Sequence, residues 1–505
     1  MNIQQAKQEI ANTLRAYHLR DEEGNYRIPA VHQRPILLMG PPGIGKTAIL
    51  EQIARETGVG LVSYTLTHHT RQSAVGLPHI ETRSFDGETF SVTEYTMSEI
   101  VASVYSYMER TGKREGILFL DEVNCVSETL APTMLQLLQN KTFGDHRIPE
   151  GWILVAAGNP PEYNKSVREF DVATLDRVRT IPVEADCGVW LSYARARKLH
   201  GAILSYLAIK PEHFYLVEDK PEGKFFVTAR GWEDLSDLLL SYEALDLPVT
   251  GDLVGQFLRK EEVSKAFTAC YQLYRKYETD YGVRQILDGG DFREKAELAS
   301  RGDFEERFIV TGLLVDGLAA SFSHWALQRS RIQSLHETLL RLKRSWGQGP
   351  MALARQMKSA MAVRKQAGLV EPDREKLEIW TAETLEAYDL ELRKDHISQE
   401  EPGFQRIRQL FSQAVRAFDR ETIECGNQLR RAFAFSEAAF GEGQEMVLLV
   451  TDLTRSPEIM AYIRENGSED FLRHSDVLLY RQQEQTLMEQ CRSLLDREAN
   501  YKEEV

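Results

Sequence analysis

The stretch Gly40-Pro41-Pro42-Gly43-Ile44-Gly45-Lys46-Thr47 stands directly behind the apolar run Ile36–Leu37–Leu38–Met39. Its glycines let the backbone curl so that successive N–H groups face one concavity, and a helix opening behind them adds the positive end of its dipole. Lys46 then reaches a phosphate as a point charge, and the Thr47 hydroxyl suits a divalent cation. The spacing Gly-x-x-x-x-Gly-Lys-Thr fits the Walker A pattern in full. The strand before it and the helix after it supply the required context. Gly40, Pro41, Pro42, Gly43, Ile44, Gly45, Lys46, Thr47 and Ala48 are therefore the candidate nucleotide-binding residues.

The rest of the first half repeats one rhythm. Short apolar runs at Ile36–Met39, Leu61–Leu66, Ile117–Leu120, Ile153–Ala157 and Arg179–Val183 alternate with amphipathic stretches at 46–57, 97–110 and 128–139. Continuous apolar strands separated by helices predict an α/β domain with a parallel sheet covered on both faces. Two stretches interrupt the pattern. Residues 79–96 alternate polar and apolar around Asp86–Gly87, a hairpin signal, and 141–151 suggest a second, shorter hairpin. Residues 186–247 read as short helices apart from a brief Lys224-Phe225-Phe226-Val227-Thr228. From about 250 onward the periodicity is helical, with loops expected around Gly289–Gly290, 347–350, 368–373 and 400–403. The expected domains are 1–185, 186–250 and 251–505.

A phosphate loop that hydrolyses needs a carboxylate for the metal and a way to orient water. Ile117-Leu118-Phe119-Leu120 runs straight into Asp121-Glu122. An acidic pair at the C-terminal edge of a buried strand sits where such sheets bind ligands. Asp121, with Thr47, is the candidate Mg²⁺ holder and Glu122 the candidate general base. The next strand ends in Asn159, whose amide can reach the terminal phosphate or the water. Arg177 and Arg179 lie where a helix gives way to a strand. Either offers a rigid, permanently charged fork to a neighbour's nucleotide, and the residues alone do not choose between them. Arg230 stands at a helix start, a position that suits an anion. Asn164-Lys165-Ser166-Val167 lacks the acidic fourth residue of a guanine signature, which favours ATP over GTP.

Composition excludes several classes. A formal net charge of −15 lacks the basic footprint of a dedicated nucleic-acid binder. Cys125, Cys187, Cys270, Cys425 and Cys491 are scattered singly, as expected of reduced thiols in a cytoplasmic protein. The polar start Met1-Asn2-Ile3-Gln4-Gln5 leads us to expect no secretory leader, and no run approaches the ~18 apolar residues of a membrane span. His68 and His69 lack a further ligand at metal spacing. Tyr271, Tyr274, Tyr277 and Tyr281 share one helical face, which predicts core or interface packing. The apolar stretch 446–454 is expected to be buried in a helical domain.

Taken in order, "GPPGIGKT", "LFLDEVN", "AAGNPPEY", "TLDRV" and "TARGWEDLS" resemble the AAA+ ATPases, specifically the MoxR family of the helix-2-insert clade. The resemblance covers residues 30 to about 250. It implies a P-loop AAA+ core, a helical lid, and in this chain a large α-helical C-terminal domain. It implies ATP and Mg²⁺, a homo-oligomeric ring that is usually a hexamer, and remodelling of a protein client with a von Willebrand A-domain (VWA) partner. By analogy Asn159 is sensor 1 and Arg230 is sensor 2. Arg177 is the trans-acting finger, although Val178 stands where the family usually has Phe and Arg179 leaves that assignment open. The hairpin at 79–96 matches the clade's insert. Alternatives are a metal-chelatase-type motor subunit, a nucleic-acid translocase or loader, and a nucleotide-gated scaffold that does not hydrolyse. Glu122 and the arginines argue against the last, and the acidic balance argues against nucleic acid.

Overall fold

The computed structural model describes residues 1–66, 76–85, 88–126, 130–143, 146–163, 167, 170–221, 223–344, 346, 349–366, 372–397 and 399–476. His68, His69, Asp86–Gly87, Asn164–Ser166, Cys491 and parts of the loops expected at 347–350 and 368–373 lie outside them. Two compact units are present: Met1–Leu191 with Lys210–Ser264, and Ser192–Ile209 with the chain from Lys265 onward. Residues 192–209, read from sequence as part of a lid, thus belong with the helical second unit.

The chain begins with α1 (Ile3–Tyr17), β1 (Ile36–Met39), α2 (Lys46–Thr57), β2 (Gly60–Thr65), β3 (Pro78–Phe85), β4 (Glu88–Tyr95) and α3 (Glu99–Thr111). There follow β5 (Gly116–Asp121), α4 (Ala131–Asn140), β6 (Thr142–Phe143), β7 (His146–Arg147), β8 (Trp152–Gly158), α5 (Val172–Arg177) and β9 (Arg179–Pro182). After α6 (Cys187–Ala196) and α7 (Gly201–Ile209) come β10 (Leu216–Lys220), β11 (Gly223–Val227), α8 (Ala229–Ala244) and α9 (Gly251–Phe257).

Five parallel strands form the sheet, in the order β2-β5-β8-β1-β9. Successive side chains of a strand face opposite ways. Leu37, Leu118, Leu120, Leu154 and Ala156 enter one core with Ile100, Val104 and Leu137 of α3 and α4. Ile36, Leu38, Ile117, Phe119 and Val155 enter the other with Ile10 of α1 and Leu50 of α2. Burial on both faces is why these strands read as unbroken apolar runs. The five expected strands are all present, and both hairpins form, β3 with β4 and β6 with β7. The region after 186 holds more than short helices: β10 and β11 pair antiparallel, and α8 runs 16 residues.

The second unit continues with α10 (Glu261–Tyr281), α11 (Val283–Leu287), α12 (Arg293–Arg301), α13 (Phe304–Arg344) and α14 (Gly349–Gln366). α15 (Pro372–Lys394), α16 (Glu400–Phe440), α17 (Gln444–Arg455) and α18 (Pro457–Asn466) complete it. α13 packs against α7, α15, α16, α17 and α18. α13 is long and apolar enough to cross a membrane by length and composition alone, with an 18-residue window of mean hydropathy 1.3, half of it buried inside the protein. Thr311, Asp316 and Ser321 interrupt the run, so sequence inspection sees no continuous apolar stretch. Residues 400–403, read as a loop, form the first turn of α16; Pro402 fits there because first-turn N–H groups lack helical acceptors anyway. Tyr271, Tyr274 and Tyr281 are buried as their spacing predicts, and α17 buries Met446, Leu449, Val450 and Leu453. Cys125, Cys187, Cys270 and Cys425 form no disulfide among the described residues.

Phe119 is fully buried in the sheet's α1/α2-side core. Phe119→Ala should destabilise the first unit by about 3–5 kcal/mol, read as a lowered denaturation midpoint.

Candidate functional site

β1 lies between β8 and β9 in the sheet, while the chain's next strand, β2, lies at the far edge beyond β8 and β5. A reversal of strand order of this kind opens a crevice at the C-terminal ends of the strands. β1, β5 and β8 all end there, so the residues that follow them, Gly40, Glu122 and Asn159, come to one edge.

Gly40 admits no side chain, because a Cβ would lie 2.5 Å from the Val183 carbonyl oxygen. Gly45 has φ 94°, in the left-handed region that favours glycine, and it starts α2. The N–H groups of Gly43 and Gly45 have no hydrogen-bond acceptor among the described residues. Unpaired N–H groups at a helix start form an anion cradle. Lys46 is buried in it at 8% exposure. Its ammonium donates to Gly40 O at 2.7 Å, Pro41 O at 2.9 Å and Asn159 Oδ1 at 2.9 Å. Burial lowers its pKa to about 8, against the opposing pull of the Asp121 and Glu122 carboxylates.

The Thr47 hydroxyl donates to Asp121 Oδ2 at 3.2 Å, which brings together the hydroxyl and carboxylate that would hold Mg²⁺. The other Asp121 oxygen accepts from the Glu122 N–H at 2.9 Å. Glu122 has φ 57°, uncommon for a residue with a side chain, and such strain gathers at functional positions. The cradle, the buried ammonium and the hydroxyl–carboxylate pair fit a nucleotide phosphate with its metal.

Arg230 stands in the first turn of α8, whose N-cap Thr228 accepts from the Gly231 N–H at 3.2 Å. A Cβ on Gly43 would lie 3.6 Å from Arg230 Cβ, and the Arg230 charge opposes that of Lys46. Arg230 thus joins the loop, while its side chain is exposed. The two finger candidates differ. Arg179 donates from Nη1 to Thr13 Oγ1 at 2.6 Å and pairs through Nη2 with Glu9, so α1 of its own chain holds it. Arg177, the last residue of α5, is exposed and has no hydrogen bond or ion pair with any described residue.

Two contributors escape a motif reading. Asn124, 3% exposed, accepts the Asn159 N–H on Oδ1 at 3.2 Å and donates from Nδ2 to Asn159 O at 2.8 Å. It clamps both backbone groups of the residue whose side chain meets Lys46. The Tyr215 hydroxyl donates to Pro42 O at 2.9 Å, and its ring meets Tyr163 edge-on. The position of Asn124 three residues past Asp121 was a signal available in the sequence; Tyr215 offered none. A further His79–Glu81–Glu94 group on β3 and β4 has ligand atoms within 4.8 Å, but Arg83 pairs with both carboxylates.

Residues 35–178 match the family model of the AAA domain, dynein-related subfamily. The chain is similar to ATPase family gene 2 protein homolog B of Mus musculus, at 31% identity over 27% of this chain and 16% of that protein. It is also similar to Lon protease 2 of Borreliella burgdorferi, at 30% identity over 36% of this chain and 21% of that protein. The matches thus span about a fifth or less of those curated relatives. The chain carries an AAA+ ATPase domain, and with it a nucleotide site of the kind that typically takes Mg²⁺.

Lys46 loses its charge in the unliganded loop as pH rises through about 8. Nucleotide phosphates favour the charged form, so affinity is full below that pH and falls above it, by at most about tenfold per pH unit. Calorimetry in buffers of different ionisation enthalpy should show proton uptake on binding near about pH 9 and little at about pH 6.5. Asn124→Ala strips the Asn159 backbone of both partners and should lower stability by about 1–3 kcal/mol in denaturant titration.

Proposed function

We propose that this chain is the ATP-hydrolysing subunit of a ring, a hexamer of MoxR type, that remodels a protein client together with a VWA-domain partner. The observation that carries the reading is the condition of Arg177. The loop gathers Lys46, Thr47, Asp121, Glu122, Asn159 and Arg230 within one chain, whereas Arg177 is exposed and unpaired among the described residues. A guanidinium with no hydrogen bond or ion pair among the described residues suits the nucleotide of an adjacent copy.

ATP is the substrate, and the loop N–H groups with Lys46 would bind its phosphates. Thr47 and Asp121 would hold Mg²⁺, which supplies charge neutralisation between the phosphates. Glu122 takes a proton from the attacking water as general base. Asn159, its Oδ1 held by the Lys46 ammonium, turns its amide NH₂ toward the water or the terminal phosphate. Arg230 adds positive charge from its own chain, and Arg177 from the next copy offsets the charge that develops on the transferred phosphoryl group. The β3–β4 hairpin exposes Ile80, Phe90 and Tyr95, apolar groups suited to gripping a polypeptide. The acidic total and the thiols support a cytoplasmic location.

Light scattering of Glu122→Gln tests the assembly. With Mg-ATP its mass should move from the 57.7 kDa of one chain to a multiple near six, with ATP bound and hydrolysis reduced at least about 100-fold. A monomer with and without bound ATP overturns the ring. Arg177→Ala should bind nucleotide normally yet lose hydrolysis by about 10³-fold or more. Arg179→Ala should leave hydrolysis near that of the parent protein and loosen α1 by about 1 kcal/mol.

A further inference from the structure

In the helical unit α10, α11, α13 and α16 surround a cavity of about 870 Å³. That volume is typical of small-molecule sites. Glu278, Asp288, Asp316, Glu421 and Glu424 line it, with Arg284 and His324 as the basic residues at its wall. A cavity whose wall is mainly of one sign of charge favours an opposite one.

Arginines already meet part of that charge: Glu278 pairs with Arg275 at 2.5 Å and Glu424 with Arg431 at 2.7 Å, whereas Asp288, Asp316 and Glu421 have no ion pair with an arginine or lysine among the described residues. The Tyr274 hydroxyl donates to Asp316 Oδ2 at 2.6 Å, but a phenol brings no positive charge. Burial raises the Asp316 carboxyl to about 6, against the pull of the Tyr274 hydroxyl. Glu421, Glu424, Cys425 and Gln428 follow i, i+3, i+4, i+7, one face of α16, and all four line the cavity. Gln428 is 9% exposed, and its Nε2 donates to Asp288 Oδ1 at 3.0 Å, which fixes the amide. The other end of that amide, Oε1, is buried with no donor. Glu421 Oε1 is likewise buried with no donor. His324 Nε2 lies 3.5 Å from it, an ion pair only when the ring is protonated, and 3.2 Å from Gln328 Nε2. Two unpaired acceptors one helical heptad apart call for N–H donors from elsewhere.

The arrangement also limits what those donors belong to. Among the described residues, the His/Cys/Asp/Glu atoms that converge as a metal's ligands do so on β3 and β4 and not here. The carboxylates share the wall with Val283, Leu287, Leu313 and Ala320. Separated charges on an apolar wall match ammonium groups spaced along an aliphatic stem, because the stem buries apolar area while each end meets a carboxylate. We propose that this cavity is a binding site for a linear aliphatic polyamine, with Glu421 and Gln428 accepting hydrogen bonds from its ammonium groups.

Spermidine titrated into the full-length chain by calorimetry tests this. One saturable site is expected. Glu421→Gln and Gln428→Leu should each weaken it at least about tenfold. Glu297→Gln, an exposed carboxylate on α12, should leave it unchanged and so exclude diffuse attraction to an acidic protein. Nucleotide affinity should be as in the parent protein in all three. N-acetyl-arginine amide serves as a second probe, and it should bind at least about tenfold more weakly than spermidine. No saturable heat, or a dissociation constant that neither Glu421→Gln nor Gln428→Leu changes, overturns the proposal. Tighter binding of the arginine derivative overturns the polyamine assignment in favour of a peptide side chain.

Discussion

The buried ammonium of Lys46 is the contact on which the nucleotide-binding unit turns. An unpaired buried charge is prohibitively costly, so three acceptors must come to it. Two are carbonyl oxygens of its own loop, and the third is the Asn159 side chain at the end of β8. Those bonds tie the loop after β1 to the strand beside it. Asn124 then grips Asn159 by both backbone groups and so links β8 to the segment after β5. Three adjacent strand ends are joined through polar contacts in the order Lys46, Asn159, Asn124. The bend at Glu122, with its positive φ, lies inside that chain of contacts. Strain at one residue persists where its neighbours are held on both sides.

The same contacts define how far the sequence could be read. Strands covered on both faces are unbroken apolar runs, so Ile36–Met39 and Ile117–Leu120 announced themselves. The loop glycines were legible because close approach and positive φ leave no other residue, as at Gly40 and Gly45. β11 showed as the brief apolar break at Lys224–Thr228, but its partner β10 was missed: Leu216–Lys220 holds Glu218, Asp219 and Lys220, and no period-2 pattern survives. Pro402 misled in the opposite way. Read as a loop marker, it occupies the one helical turn that tolerates it. Tyr215 reached the site from a distant part of the sequence through a single hydroxyl, and no local pattern encodes that.

The helical unit follows a different economy of burial. α13 is apolar enough to resemble a membrane span, yet its buried side chains serve the helices around it. Charges occur inside it too. Arg195 and Asp452 form an ion pair at 2.5 Å with both side chains below one-tenth exposed. Burial pushes the Asp452 carboxyl up while Arg195 and Arg455 pull it down. Such a pair adds little net stability against an apolar alternative, but losing one partner is severe, so it restricts which packing is acceptable. Asp316 on α13 has the Tyr274 hydroxyl as its hydrogen-bond donor instead of a guanidinium, and its carboxyl is perturbed accordingly.

Two arginines two residues apart show why context outweighs residue type at the nucleotide site. Val178 between them is buried and ends the short helix α5, and its N–H bonds back to Thr174 O. Arg177 still has helical geometry, whereas Arg179 lies in β9, paired in register with Ile36. The strand carries Arg179 to α1, where Thr13 and Glu9 fix its guanidinium. Holding an arginine this way removes side-chain freedom, and an exposed pair returns little for it. What it supplies is a fixed place for α1 against the sheet edge. Arg177 is exposed and has no hydrogen bond or ion pair among the described residues, so α5 leaves its guanidinium hydrated.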